Sequence, residues 1–223
     1  MSGPSHPRIW RRLAALVALF AAPLGATAPP SHRIEPAAWR VVERDSGPVN
    51  YYRVTTEDGV TFVRSHYVPP MKTTVLGFQL PDAEREHVRS LSWTWRARTL
   101  PRGGDECTNG KGDSAAVLYV TWKRGLRYYT LKYVWSAVGT KGRTCDKKRN
   151  PFVAQDTVIL ESGAPLDVWR TEALDLKAEF RKHFEGGDPN ADVPDFMGIG
   201  IMSDGDQTHS ESAADFGTVV ISG

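Results

Sequence analysis

"AAVLYVTWKRGLRYYTLKYVWS", Ala115 to Ser136, decides the fold. Ala115 to Trp122 and Leu126 to Ser136 are rich in β-branched and aromatic residues, and Lys123-Arg124-Gly125 between them reads as a tight turn. Side chains alternate along a strand. Tyr129, Leu131, Tyr133 and Trp135 therefore share one face, which reads as core. Tyr128, Thr130, Lys132 and Val134 share the other, where Tyr128 and Lys132 are placed to line a concave ligand surface.

Working outward, Cys107 and Cys145 lie just beyond the far ends of this hairpin, each in a Gly-rich loop. Antiparallel pairing brings those ends together, so the spacing predicts a disulfide worth ~3–4 kcal/mol in the chain-entropy model. The alternatives are two free thiols or two metal ligands. Neither cysteine has a second Cys or His close by, which disfavours zinc.

Further segments of the same character flank the hairpin. Trp39–Arg44, Asn50–Thr56 and Val60–Val68 precede it, with Asp58-Gly59 as a hairpin turn between the last two. Thr73–Leu80 and Arg89–Ala97 follow, and Pro151–Ser162, Met197–Ser203 and Phe216–Ser222 come after the hairpin. Roughly ten short strands with turn residues between them predict an all-β fold, an antiparallel β-sandwich or jelly roll. "EALDLKAEFRKHFEGG" predicts one short helix near residues 173–185, with Leu174, Ala178 and Phe180 to Phe184 on its stripe and Gly186-Gly187 as its stop.

The N-terminus has the form of an export signal. Arg8, Arg11 and Arg12 precede an apolar run, Leu13 to Leu24, that is short for a membrane span of ~20 residues. Cleavage after Ala28 or Ala26 would leave one sandwich domain over residues 36–223; a retained anchor is the alternative. The formal charge of the 223 residues is +2, but the segment before residue 29 holds three arginines and no acid. The remainder carries 25 basic against 26 acidic residues, so no basic field argues for nucleic acid. The expected location is periplasmic or secreted.

The ordered motifs "LSWTWRA", "LPRGGDE", "AAVLYVTW", "LKYVWS", Trp169 with Glu172, "GIGIMSDGDQT" and "FGTVVI" resemble a family of exported bacterial proteins known only as a domain of unknown function. The likeness spans Trp39 to Ile221. It implies a β-sandwich similar to carbohydrate-binding modules and implies no settled activity. Several positions depart from the family pattern. Gly112-Asp113 stands where two acids are usual, Val117 where an arginine is, Gln207 where an asparagine is, and His209 where a glycine is.

The acidic loop after Met202 is the densest chemistry. Asp204, Asp206 and Thr208 alternate, and Asp215 follows eleven residues after Asp204. That spacing imitates a helix-loop-helix calcium loop, but His209 occupies the position that needs glycine and strands flank the loop. A calcium site of sandwich geometry remains, with Asp204, Asp206 and Thr208 as ligands and Asp105, Glu106 or Asp113 completing the set. The alternative is that these residues simply turn the chain.

Trp93 and Trp95 share a face with Leu91 and Ala97, which favours core over a sugar platform. The chain has no Gly-x-Ser-x-Gly elbow and no His-Glu-x-x-His. Hydrolysis or elimination of a polysaccharide would need Asp105 or Glu106 to meet Asp204 or Asp206. His183 and His209 read as surface residues. The expectation is an envelope binding module for polysaccharide or glycan, using Tyr128, Lys132, Asp105 and Glu106, with a structural calcium. The competing expectations are a polysaccharide-acting enzyme built on the same acids and a subunit of an envelope assembly.

Overall fold

The computed structural model describes residues 31–42 and 51–223. The export segment and its cleavage sites lie outside these residues. Among the described residues no helix is long and apolar enough to cross a membrane.

The strands in chain order are β1 (Ser31–Ile34), β2 (Arg40–Val41), β3 (Tyr52–Glu57), β4 (Val60–Tyr67), β5 (Leu76–Gln79), β6 (Ser90–Thr99) and β7 (Ser114–Arg124). They continue with β8 (Arg127–Ser136), β9 (Thr144–Arg149), β10 (Val153–Ser162), β11 (Arg170–Asp175), β12 (Asp195–Met202) and β13 (Ser212–Ser222). Among the described residues two short α-helices interrupt them, α1 (Asp82–Arg85) and α2 (Leu176–Phe184), with one 3-10 turn at Pro36–Ala38.

One sheet of six strands runs β11-β6-β13-β4-β3, with β1 also paired to β13; the other runs β2-β5-β12-β7-β8-β10-β9. The apolar faces meet between them. Trp93 and Trp95 from the first sheet and Trp122 and Trp135 from the second are all 2 % exposed or less, so Trp93 and Trp95 are core and not a sugar platform. Fully burying an apolar side chain contributes ~1.5–3 kcal/mol, and tryptophans dominate this layer.

The β7–β8 hairpin closes one pair later than the expected turn. Arg124 pairs with Arg127, leaving Gly125-Leu126 as the two-residue loop, with Gly125 at φ 59°. The sheet is also not wholly antiparallel, because β10 lies parallel to β8. The loop holding β9 makes that crossover, and β9 then pairs antiparallel on the outer side of β10.

The helix starts later than its stripe suggests. Residues 173–175 belong to β11, whose Leu174 pairs with Leu91, and Asp175 caps α2 by accepting from the amides of Lys177 and Ala178, both at 2.9 Å. Phe180 and Phe184 pack their rings against Trp122 and Tyr129. Gly186 and Gly187, both at positive φ, end the helix, and the Gly187 amide bonds the Arg181 carbonyl at 2.8 Å.

Cys107 and Cys145 are disulfide-bonded with Cα atoms 5.1 Å apart. Cys145 sits on β9 rather than in a loop, so the bond ties the β6–β7 connection to the edge of the seven-stranded sheet.

Candidate functional site: a groove on the seven-stranded sheet

Because alternate residues of β7, β8 and β12 turn to the core, the intervening ones form the outer face of the sheet. Tyr119 stands opposite Lys132 and Gly200, and Thr130 stands opposite Gln155. The β6–β7 connection and the loop after β12 rise over this face. Between them lies a groove of about 700 Å³ walled by Glu106, Lys132, Asp204, Asp206 and Gln207. A second recess of about 450 Å³ adjoins it, shares Tyr119 and Gln155, and reaches Tyr128. Gly200 is required where the floor meets β5, since a Cβ there would lie 2.7 Å from Val75 Cγ1.

At the floor the Lys132 ammonium donates to both carboxylate oxygens of Glu106, each at 2.9 Å, and to the Gly112 carbonyl at 3.2 Å. Ser114 donates its hydroxyl to Glu106 Oε1 at 2.7 Å. Glu106 is 3 % exposed and Lys132 7 %. Burial works against the ammonium, but Tyr119, the Glu106 carboxylate and Asp204 outweigh it and hold its pKa above the ordinary lysine value. These hydrogen bonds lock the pair in place at the floor of the groove.

Above it, carboxylate oxygens of Asp113, Asp204 and Asp206 all lie within 4.8 Å of one another, and the three could hold a metal ion. Asp113 accepts from the Thr208 amide at 2.7 Å, the Thr208 hydroxyl at 2.6 Å and the Gln207 amide at 3.3 Å. Asp204 accepts from the Thr73 hydroxyl at 3.0 Å and from the Asp206 amide at 3.4 Å. Burial, then the neighbouring Asp113 and Asp206 carboxylates, push the Asp204 carboxyl up to about 7, against the opposing pull of Lys132 and Thr73.

Several expected residues therefore meet. Glu106, Lys132, Asp204 and Asp206 share the groove, and Tyr128 lines the adjoining recess, 42 % exposed with Lys123 Nζ 5.0 Å from its ring centre. Others take different places. Asp105 turns into its own loop, accepting from the Cys107 amide at 3.0 Å and the Thr108 hydroxyl at 2.6 Å, and these bonds hold its carboxyl below the usual range. The Thr208 hydroxyl donates to Asp113, so it braces the acidic set from behind. Asp215 is not part of this loop's chemistry. It lies on β13 in the other sheet, where Arg64 and Arg96 hold it at 2.8 and 2.7 Å.

His183 is not a surface residue. Its side chain is 4 % exposed, and Nδ1 lies 2.9 Å from Asp156 Oδ2. His209 takes a turn position at φ 51°.

Tyr119, Gln155 and Thr73 are groove residues that sequence reasoning did not single out, and Gln207, noted there only as a departure from the family pattern, joins them. Only Tyr119 carried a usable signal, since it alternates with the core residues Leu118 and Val120. The others come from strands and loops whose meeting no local pattern records.

A family model described as a protein of unknown function (DUF3047) matches residues 37–220. The curated proteins contain no match to this sequence. Among solved structures, the chain is similar to the xyloglucanase domain of NopAA, a type three effector from Sinorhizobium fredii, in complex with cellobiose. That similarity has 14 % identity and a TM-score of 0.42 over 89 % of this chain and 100 % of that one. It is also similar to the family 11 carbohydrate-binding module from Clostridium thermocellum in complex with a mixed-linked tetrasaccharide, at 9 % identity and a TM-score of 0.37 over 90 % of this chain and 91 % of that one. A third is the family 11 xylanase from Neocallimastix patriciarum, at 7 % identity and a TM-score of 0.38 over 86 % and 91 %.

Proposed function

The chain belongs to this family of proteins of unknown function, DUF3047, and on that premise we propose that it is an exported envelope protein that binds a polysaccharide chain along the outer face of its seven-stranded sheet. The observation that carries the reading is the groove itself, which joins a polar half at Glu106, Lys132 and Asp204 to a recess ending at the half-exposed ring of Tyr128. Sugar hydroxyls suit the first as hydrogen-bond partners, and the apolar face of a sugar ring suits the second. Tyr128, Gln155 and Gln207 contact the ligand, while the Lys132–Glu106 pair fixes the floor and Asp105 shapes the loop above it.

A calcium ion held by Asp113, Asp204 and Asp206 fits this reading. Hard carboxylate oxygens are its preferred ligands, and Asp204 suffers from two like charges that a divalent cation would relieve. The nearby Lys132 ammonium competes with such an ion, and metal analysis of the purified protein reads the outcome directly. Affinity electrophoresis through gels holding neutral or acidic polysaccharides tests the binding reading. Retardation by at least one polysaccharide, weakened severalfold in Tyr128→Ala and Gln155→Ala, supports it; free migration in every gel rejects it.

The raised Asp204 carboxyl favours one second reading. A carboxyl pushed up to about 7 by burial and by neighbouring carboxylates suits a general acid, and the Asp113 and Asp206 carboxylates beside it supply the second acidic group that hydrolysis of a glycosidic bond needs. Release of reducing ends from the polysaccharide that binds, lost in Asp204→Asn while binding persists, would make the protein a hydrolase.

A further inference from the structure

The outer face of the other sheet carries a charge pattern that the groove does not use. Cross-strand pairing sets Arg53 opposite Arg64, Arg64 opposite Asp215, and Asp215 opposite Arg96, in one row across β3, β4, β13 and β6. Asp215 is fully buried and accepts from Arg64 at 2.8 and 3.0 Å, from Arg96 at 2.7 Å and from Arg98 at 3.3 Å. Glu57 bridges Arg64 and Arg96 from outside, at 2.7 and 3.0 Å.

Arg53 breaks the pattern. It faces another arginine directly, and among the described residues no carboxylate pairs with it. Like charges directly opposite in a ladder destabilise it. Asp215 and Glu57 neutralise Arg64, which leaves the exposed Arg53 as the unsatisfied member of the row, and a local departure from the pairing rule of this kind is expected where a site is built.

Beside Arg53 the sheet face dips into a recess of about 280 Å³, bordered by Arg53, Arg64, His66 and Arg98, with Asp167 and Glu211 on its rim. Glu211 is engaged by His66 at 2.6 Å, and Asp167 holds Arg98 only at 3.6 Å. Four arginines, Arg53, Arg64, Arg96 and Arg98, face four carboxylates, Glu57, Asp167, Glu211 and Asp215, but each of those carboxylates is taken by Arg64, Arg96, Arg98 or His66, so among the described residues Arg53 is the one left over. We propose that this recess is a second binding site, on the sheet opposite the groove, for an oxyanion group: a carboxylate or phosphate held by the guanidinium forks of Arg53 and Arg98. A planar fork matches either group in two-point contact, which a lysine would not. The anion supplies the negative charge that Arg53 lacks.

The test is thermal unfolding with inorganic phosphate, D-glucuronate or D-glucose, with chloride making up constant ionic strength. Ligand at ten times its dissociation constant raises the melting temperature by about 3–6 °C. Phosphate, glucuronate or both are expected to do so, and which one acts names the source of the oxyanion; glucose is expected to do nothing. Arg53→Gln is expected to abolish the rise while leaving the free protein as stable as wild type or more so, because the repulsion with Arg64 is gone. Arg53→Lys keeps the charge without the fork and is expected to weaken the effect. The proposal is overturned if neither anion exceeds chloride, if Arg53→Gln keeps the full rise, or if Arg53→Gln destabilises the free protein and so shows Arg53 to be structural.

Discussion

Lys132 on β8 and Glu106 in the β6–β7 connection form a buried two-point ion pair, Nζ lying 2.9 Å from each carboxylate oxygen. The residues are 26 apart in sequence. Their pairing pins the loop that walls the groove onto the sheet that floors it, so the stability of the protein and the shape of the site depend on the same contact.

Removing one partner leaves the other charge buried. Lys132→Met is expected to destabilise by ~3–5 kcal/mol, whereas Lys132→Met with Glu106→Leu recovers most of that loss. Urea midpoints for the two single variants and the double variant check it. Equal losses in single and double variants would mean that the pair contributes packing, not charge neutralisation.

Asp204 predicts a pH dependence with a definite sign. Its folded pKa, about 7, lies above the unfolded value of about 3.9, so the folded state binds the extra proton and metal-free stability falls as pH rises between about 4 and 7. Asp204→Asn removes that loss. In chelator it is expected to be more stable than wild type at pH 8, by up to ~4 kcal/mol, and little changed at pH 4. Added calcium is expected to raise the wild-type midpoint at pH 8 and to leave the asparagine variant unmoved. Chemical denaturation at the two pH values, with and without calcium, separates these effects.

Glu179 predicts the opposite sign at the acid end. His183, then the Tyr133 hydroxyl and Lys182, hold its carboxyl at about 2, outweighing burial. The contribution is present above the ordinary glutamate value and is lost as pH falls from about 4.3 through 2. Because the group is only half buried, the expected size is ~1–2 kcal/mol. Glu179→Gln should flatten the acid limb of the melting-temperature profile between pH 5 and 2; an unchanged slope would assign acid unfolding to other carboxylates.

The disulfide acts on the site as well as on the fold. Breaking Cys107–Cys145, which spans 38 residues, is expected to cost ~3–4 kcal/mol. Glu106 adjoins Cys107, so the loop should also lose its hold on Lys132. Cys107→Ser with Cys145→Ser is therefore expected to weaken polysaccharide retardation well below the unfolding temperature. Full binding in that variant would show that the hydrogen bonds of Asp105 and Asp113 suffice to set the loop.

Much of the fold was legible because strand period is local. The alternation through Ala115–Ser136 assigned Tyr129, Leu131, Tyr133 and Trp135 to the core, and all four are buried. The same alternation put Lys132 and Tyr128 on the opposite face, where the groove lies. The disulfide was legible too, because a hairpin brings its own ends together. The parallel β8–β10 pairing was not, since a strand's composition is the same whichever way its neighbour runs. The start of α2 was misplaced because Leu174 fits a helical stripe and a strand alternation equally well, and pairing with Leu91 decided it.

The sequence by itself determined which residues alternate along each strand and which carry charge, because both depend on neighbours within a few positions; it set the β7–β8 turn only to within one pair. Only the tertiary structure decided which charges meet. It set Asp113 rather than Asp105 beside Asp204, sent Asp215 to the arginines of the other sheet, and left Arg53 facing Arg64. The reason is physical. Side-chain alternation is fixed by the backbone of one strand, whereas the register between strands distant in sequence is fixed by burial of the whole core.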